Sequence, residues 1–222
     1  MLLLLLLACN RAPTVKVGDV EVNTNTFSHH APLADEVAIC VKCHGEHGAG
    51  DADFGRSAHW GTPDLRGLTH AYMQRQLKAF RDGQREHPEM SALARMMDDD
   101  DIERLSAYYA GRPVPGAAPA SQPHEGVDPT VHALGGRIAS LGLPDRSVPA
   151  CDSCHGPRGI GVGDAFPHLA GQNADYIVHA LRSIRQGTRR TAEGMIMKGT
   201  ADALSEAELA AVGAWYEGFL PR

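Results

Sequence analysis

Aromatic residues are scarce in this 222-residue chain, at 5% of the sequence, although apolar residues as a whole reach an ordinary 43%. A chain of this length makes one large domain or two small ones, and each of two small ones would be short of core if it folded unaided. Long hydrophobic runs are missing: the apolar stretch Met1 to Ala8 is too short to span a bilayer. Basic charge is also lacking, since 27 acidic residues outnumber 21 basic ones and give a formal net charge of −6. That balance excludes the electrostatic footprint of a nucleic-acid binder. No alternating strand pattern of useful length stands out, so the expectation is an all-α chain.

Cysteine is sparing too, with five in all, and four of them fall in two copies of one pentapeptide. Cys40-Val41-Lys42-Cys43-His44 and Cys151-Asp152-Ser153-Cys154-His155 both have the Cys-x-x-Cys-His spacing that attaches a c-type haem. A tight turn presents both sulfurs to one porphyrin edge, and the following His offers a ring nitrogen to the iron. One Cys-x-x-Cys alone could be a dithiol redox pair or half of a zinc site. Zinc wants four ligands clustered together, whereas these pairs lie about a hundred residues apart in separate repeats. The expected cofactors are two covalently bound haems c, with Cys40, Cys43, Cys151 and Cys154 binding the porphyrins and His44 and His155 binding iron.

The fifth cysteine, Cys9, ends Leu6-Leu7-Ala8-Cys9, which resembles a bacterial lipobox. The stretch lacks a basic flank and its apolar run is short, so a start codon further upstream is expected. Haem attachment to thiols takes place outside the cytoplasm. The chain is therefore expected in the periplasm, tethered to a membrane through lipid on Cys9.

Aligning the halves on the two motifs exposes an internal repeat. Pro63-Asp64-Leu65-Arg66-Gly67 matches Pro167-His168-Leu169-Ala170-Gly171, Tyr72 and Leu77 match Tyr176 and Leu181, Gly83 matches Gly187, and Tyr108-Tyr109 matches Trp215-Tyr216. About seven extra residues fall within 45–62 of the first module, including His47, His59 and Trp60, and about three extra fall after Gly187 in the second. Both are expected in loops. The organisation read from this is a leader over 1–9, a spacer without assigned structure over 10–30, a first domain over 31–112, a Pro/Ala-rich linker over 113–127, and a second domain over 128–222. Helices are expected over 72–81 and 176–185, each closed by a glycine, and a final helix in each module opens on acids, Asp98 to Asp101 and Ser205 to Glu208.

The ligand on the second side of each iron decides whether a haem carries electrons or binds substrates. Met90, Met96 and Met97 are the candidates in the first module, and Met195 and Met197 in the second. From Met90 the landmarks Met97, Asp98, Ile102 and Tyr108 stand at offsets that, from Met197, reach Leu204, Ser205, Leu209 and Trp215. Met90 and Met197 are therefore the equivalent pair, with Met195 the alternative in the second module. Met97 aligns with Leu204 and reads as core.

These features together resemble the class I c-type cytochromes, and specifically the diheme cytochrome c4 group, over about residues 31–112 and 128–222. The resemblance implies two tandem class I cytochrome c domains, each wrapping one haem in three or more helices, related by a pseudo-twofold. It implies a proline carbonyl, from Pro63 and Pro167, accepting a hydrogen bond from the axial His. It further implies a non-enzymatic carrier passing single electrons between respiratory complexes, such as a cytochrome bc complex and a terminal oxidase, with no small-molecule substrate. The pre-haem segment 29–39 is a weak version of the family's first helix, whereas 129–140 is a better one. The alternatives are a cytochrome subunit of a dehydrogenase or oxidase complex, and a diheme peroxidase or thiosulfate-oxidising enzyme in which His47 or His59 acts at the first haem.

Overall fold

A computed structural model describes residues 13–27, 31–50, 61–114 and 121–219. Cys9 and the leader, His59 and Trp60, and the linker residues 115–120 lie outside the described residues.

The described chain is mainly helical, with one small sheet. An antiparallel hairpin of β1 (Thr14–Val17) and β2 (Val20–Asn23) comes first. The first module continues with α1 (Leu33–His44), α2 (His70–Arg81), α3 (Pro88–Ala94) and α4 (Asp99–Ala110). The second contains α5 (Pro129–Leu141), a short α6 (Asp152–His155), α7 (Ala174–Gln186), α8 (Ala192–Ala203) and α9 (Glu206–Glu217).

Local chemistry sets the ends of these helices. Thr69 and Asn173 cap α2 and α7 through their side chains, and Gly83 (φ 73°) and Gly187 (φ 76°) follow their last turns in the left-handed region that glycine adopts without strain. The acids at the start of α4 and α9 form capping boxes, Asp98 with Asp101 and Ser205 with Glu208, which satisfy amides that the first turn leaves free. As expected, α1 is weakly begun, with Pro32 at its N-cap and no side-chain cap, while Asp128 caps α5.

The structure corrects two expectations. Within the segment read as a spacer, residues 13–27 are structured: Val17, Val22 and Phe27 are buried in one cluster with Val37, Met97, Ile102 and Leu105. The alternation Val15, Val17, Val20, Val22 about Gly18-Asp19 is a hairpin pattern, two short strands around a two-residue turn. The extra residues after Gly187 are not in a loop either. α8 starts immediately after Thr191 and is 12 residues long against 7 in α3, so they extend the helix at its first turn.

Each module has its own core. In the second, Ile138, Val148, Ile177, Leu181, Ile184, Leu209, Val212 and Tyr216 close on one another. There α5 crosses α9 so closely that a Cβ at Gly135 would stand 2.0 Å from the Ala211 carbonyl oxygen, and one at Gly136 would meet the Trp215 ring. In the first, α4 lies against α1 and α2, and Met97 is core as expected.

Candidate haem centres and the interface between them

The first motif occupies the last turn of α1, whereas the second forms its own short helix, α6, after the loop 142–151. In both modules the helix ends at the residue after the His, at Gly45 (φ 74°) and Gly156 (φ 78°), and the chain turns back beneath the ring. The same hydrogen bonds fix both turns. Gly50 N–H donates to the His44 carbonyl (2.9 Å) and Leu65 N–H to that of Gly48 (2.7 Å); Gly161 donates to His155 (2.7 Å) and Leu169 to Gly159 (2.7 Å). Tyr109 and Tyr216 pack against Gly48 and Gly159, where a Cβ would approach those rings to 2.8 and 2.6 Å.

Both imidazoles are buried and make the same contact. His44 Nδ1 lies 3.1 Å from the Pro63 carbonyl oxygen, and His155 Nδ1 lies 2.9 Å from that of Pro167. A carbonyl only accepts, so Nδ1 carries the proton and the Nε2 lone pair is left for a metal. Burial lowers the pKa of both rings, against a smaller opposing pull from the proline carbonyls, and both are neutral at pH 7. The thiols are not activated: burial pushes Cys40 up to about 12 and Cys151 up to about 11. That is the reverse of what a catalytic dithiol needs.

Met90 stands half-buried in the first turn of α3, and Met197 is half-buried in α8 against the second core. Met195, two residues before it, is 54% exposed. His47 is exposed directly after the first motif.

The sequence did not disclose how the modules meet. Arg85 and Arg189, two residues beyond the paired glycines, face each other in an antiparallel bridge flanked by Glu86 N–H to the Thr188 carbonyl (2.8 Å) and Arg190 N–H to that of Gln84 (2.6 Å). Each guanidinium crosses to the other module's helix: Arg85 donates to the Tyr176 hydroxyl (3.0 Å) and Arg189 to that of Tyr72 (2.8 Å). Gln76 Oε1 accepts from both, at 2.9 and 3.1 Å. Asp64 and Gln172 form a second link, with Asp64 N–H donating to Gln172 Oε1 (2.8 Å) and Gln172 Nε2 donating to the Asp64 carbonyl (2.9 Å). The Gly-x-Arg repeat was the signal that could have located this seam.

The residues present fit a haem in each module. Neutral histidines with a free Nε2 stand beside paired thiols. Ile160, Val162, Met195 and Ile196 leave half or more of their apolar surface uncovered. Arg85 and Arg189 are buried with no carboxylate of the described residues in ion-pair contact, and Arg189 Nε has no acceptor. A large apolar group bearing carboxylates answers both deficits.

Comparison with known proteins agrees with this geometry. The Cytochrome c family model matches residues 37–110 and again 148–216. A thiosulfate dehydrogenase electron acceptor from Stutzerimonas stutzeri is 37% identical over 179 residues, covering 80% of this chain and 77% of that protein. Cytochrome c4 of Pseudomonas aeruginosa is 32% identical over 186 residues, covering 82% and 85%. Among solved structures, reduced cytochrome c4 from Pseudomonas stutzeri superposes with a TM-score of 0.71 at 30% identity, covering 85% of this chain and 97% of that one. A thiosulfate dehydrogenase from Marichromatium purpuratum gives 0.70 at 35% identity over 87% of this chain, which spans 39% of that longer one. Among the described residues no helix is long and apolar enough to cross a membrane. The chain belongs to the cytochrome c family, as a diheme electron carrier of the cytochrome c4 kind that holds two covalent haems c.

Proposed function

We propose that the chain is a periplasmic carrier, not itself an enzyme, that takes single electrons from a thiosulfate-oxidising dehydrogenase and passes them toward a terminal oxidase. The relatives named as electron acceptors of thiosulfate dehydrogenase support the donor. The observation that carries the reading is the pair of matching His-to-proline contacts in two joined modules. The ligands are His44 with Met90, and His155 with Met197; the domains fall at 31–112 and 128–222, with the hairpin joined to the first.

Bound haem supplies the one-electron couple. His44 and His155 donate Nδ1–H to fixed carbonyls, which holds each ring in one orientation and raises its basicity as a ligand. A Met thioether opposite a His favours a higher potential than a second His would. Arg85 and Arg189 place two positive charges at the seam, where they would offset the negative charge of haem carboxylates brought near them. The −6 net charge favours a basic docking patch on the partner and salt-sensitive encounters. Lipid on Cys9 would keep the carrier at the membrane that holds its acceptor.

The test is reconstitution of the purified holoprotein with thiosulfate dehydrogenase and thiosulfate, followed by oxidase-containing membranes. Two electrons taken up per chain, then released to the membranes, support the reading. Thiosulfate oxidation without added dehydrogenase, or a high-spin haem in the isolated protein that reacts with peroxide, would turn it toward an enzyme.

A further inference from the structure

Among the described residues the hairpin has no counterpart in the second module. Its buried side chains Val17, Val22 and Phe27 share a cluster with Ile39, Cys40 and Val41 of α1 and with Ala92 and Leu93 of α3. β2 lies against α1 and β1 against α3, while the turn at Gly18 sits on Glu89, where a Cβ would come within 3.3 Å of Glu89 Cγ. One small sheet therefore touches both the helix that ends in His44 and the helix that carries Met90.

Before α5 the chain takes a different course. Ser121 Oγ donates to the Trp215 carbonyl (2.6 Å) and Gln122 N–H to that of Gly218 (3.0 Å), so this segment runs along the end of α9. Among the described residues no strand precedes α5. Nor is α8 held as α3 is: Met195 and Ile196, two residues and one residue before Met197, are 54% and 68% exposed.

We infer that the hairpin is a fastening for the first haem alone, holding the α3 methionine against the α1 histidine and so slowing exchange of that methionine for an outside ligand. This rests on the Met90 and Met197 reading. α3 is only two turns long and is held between α2 and β1, so its position depends in part on the hairpin. β1 meets α3 directly, and the fully buried Val22 of β2 fixes the hairpin on the α1 side of the same cluster.

Cyanide binding to the ferric holoprotein reads the restraint, because cyanide enters only when the iron–sulfur bond opens. Two phases of equal amplitude are expected, and Met90→Ala should abolish the slow one along with half of the near-infrared methionine-to-iron band. Val22→Ala should speed the slow phase on the order of tenfold, from the packing lost with a buried side chain, and leave the fast phase unchanged. Val22→Ile should restore it, and Val15→Asp on the exposed face should behave as wild type. Phe27→Leu is the milder probe if Val22→Ala yields fewer than two covalent haems. A single phase in wild type, or a slow phase that Val22→Ala and Phe27→Leu leave unmoved, overturns the fastening. If Met90→Ala keeps the whole near-infrared band, the ligand assignment itself fails.

Discussion

Glu36 is fully buried in α1, paired with Arg104 at 2.5 Å, and its Oε2 has no hydrogen-bond partner. Burial raises its pKa to about 6 from the ordinary 4.5; Arg104 opposes that rise and Asp101 adds to it. The folded state thus holds a proton that the unfolded chain has already lost, so Glu36 makes stability fall as pH rises from about 4.5 through 6. The rise from 4.5 to about 6 corresponds to about 2 kcal/mol. Glu36→Gln resembles the protonated side chain and still accepts from Arg104. It should match wild type at pH 4 and exceed it by about 2 kcal/mol at pH 7, an upward shift on the order of ten degrees for a domain of this size. Thermal unfolding of the holoprotein at a series of pH values, with the first domain's transition followed through its haem, measures the difference. A variant no more stable than wild type at pH 7, or a difference that does not change between pH 4 and 7, would refute this placement of the proton.

Tyr72→Phe removes the hydroxyl that Arg189 reaches across the seam and should destabilise docking by about 1–3 kcal/mol, seen as the two domains' unfolding transitions moving apart. Gly135→Ala puts a Cβ into the Ala211 carbonyl and should force α5 from α9, losing several kcal/mol from the second domain while the first transition holds. Gly159→Ala, at φ 73° and against the Tyr216 ring, should cost the second domain about 1–3 kcal/mol and disturb the His155 spectrum more than that of His44.

Much of the site was legible because its chemistry is local. The motifs, the glycines at 83 and 187 that close a helix in each module and the capping acids act within a few residues, and the repeat set the halves in register. The equivalence of Met90 and Met197 came from that register too. The hairpin is faint in the sequence, because four-residue strands in a polar stretch carry little pattern until the core they cover is known. Of the seam, the Gly-x-Arg repeat marks the two segments, but not their partners: Arg189 and Gln76 are 113 positions apart, and nothing local to either says that they meet. The three residues inserted after Gly187 illustrate the same limit, since a helix start and a loop can absorb them equally well.

Gln76 has a consequence for how such a chain arises by duplication. It accepts from both guanidiniums, close to the axis that exchanges the modules, and the corresponding residue of the second module is Ala180. A side chain near such an axis leaves no room for its own copy. Two identical modules would bring two glutamines to one place, or two alanines and a hole, so divergence at this point accompanies a well-filled seam. Once it has occurred, neither half can replace the other: the fused chain has become a lock made of two unlike pieces, and a pair of first halves or of second halves would not close it.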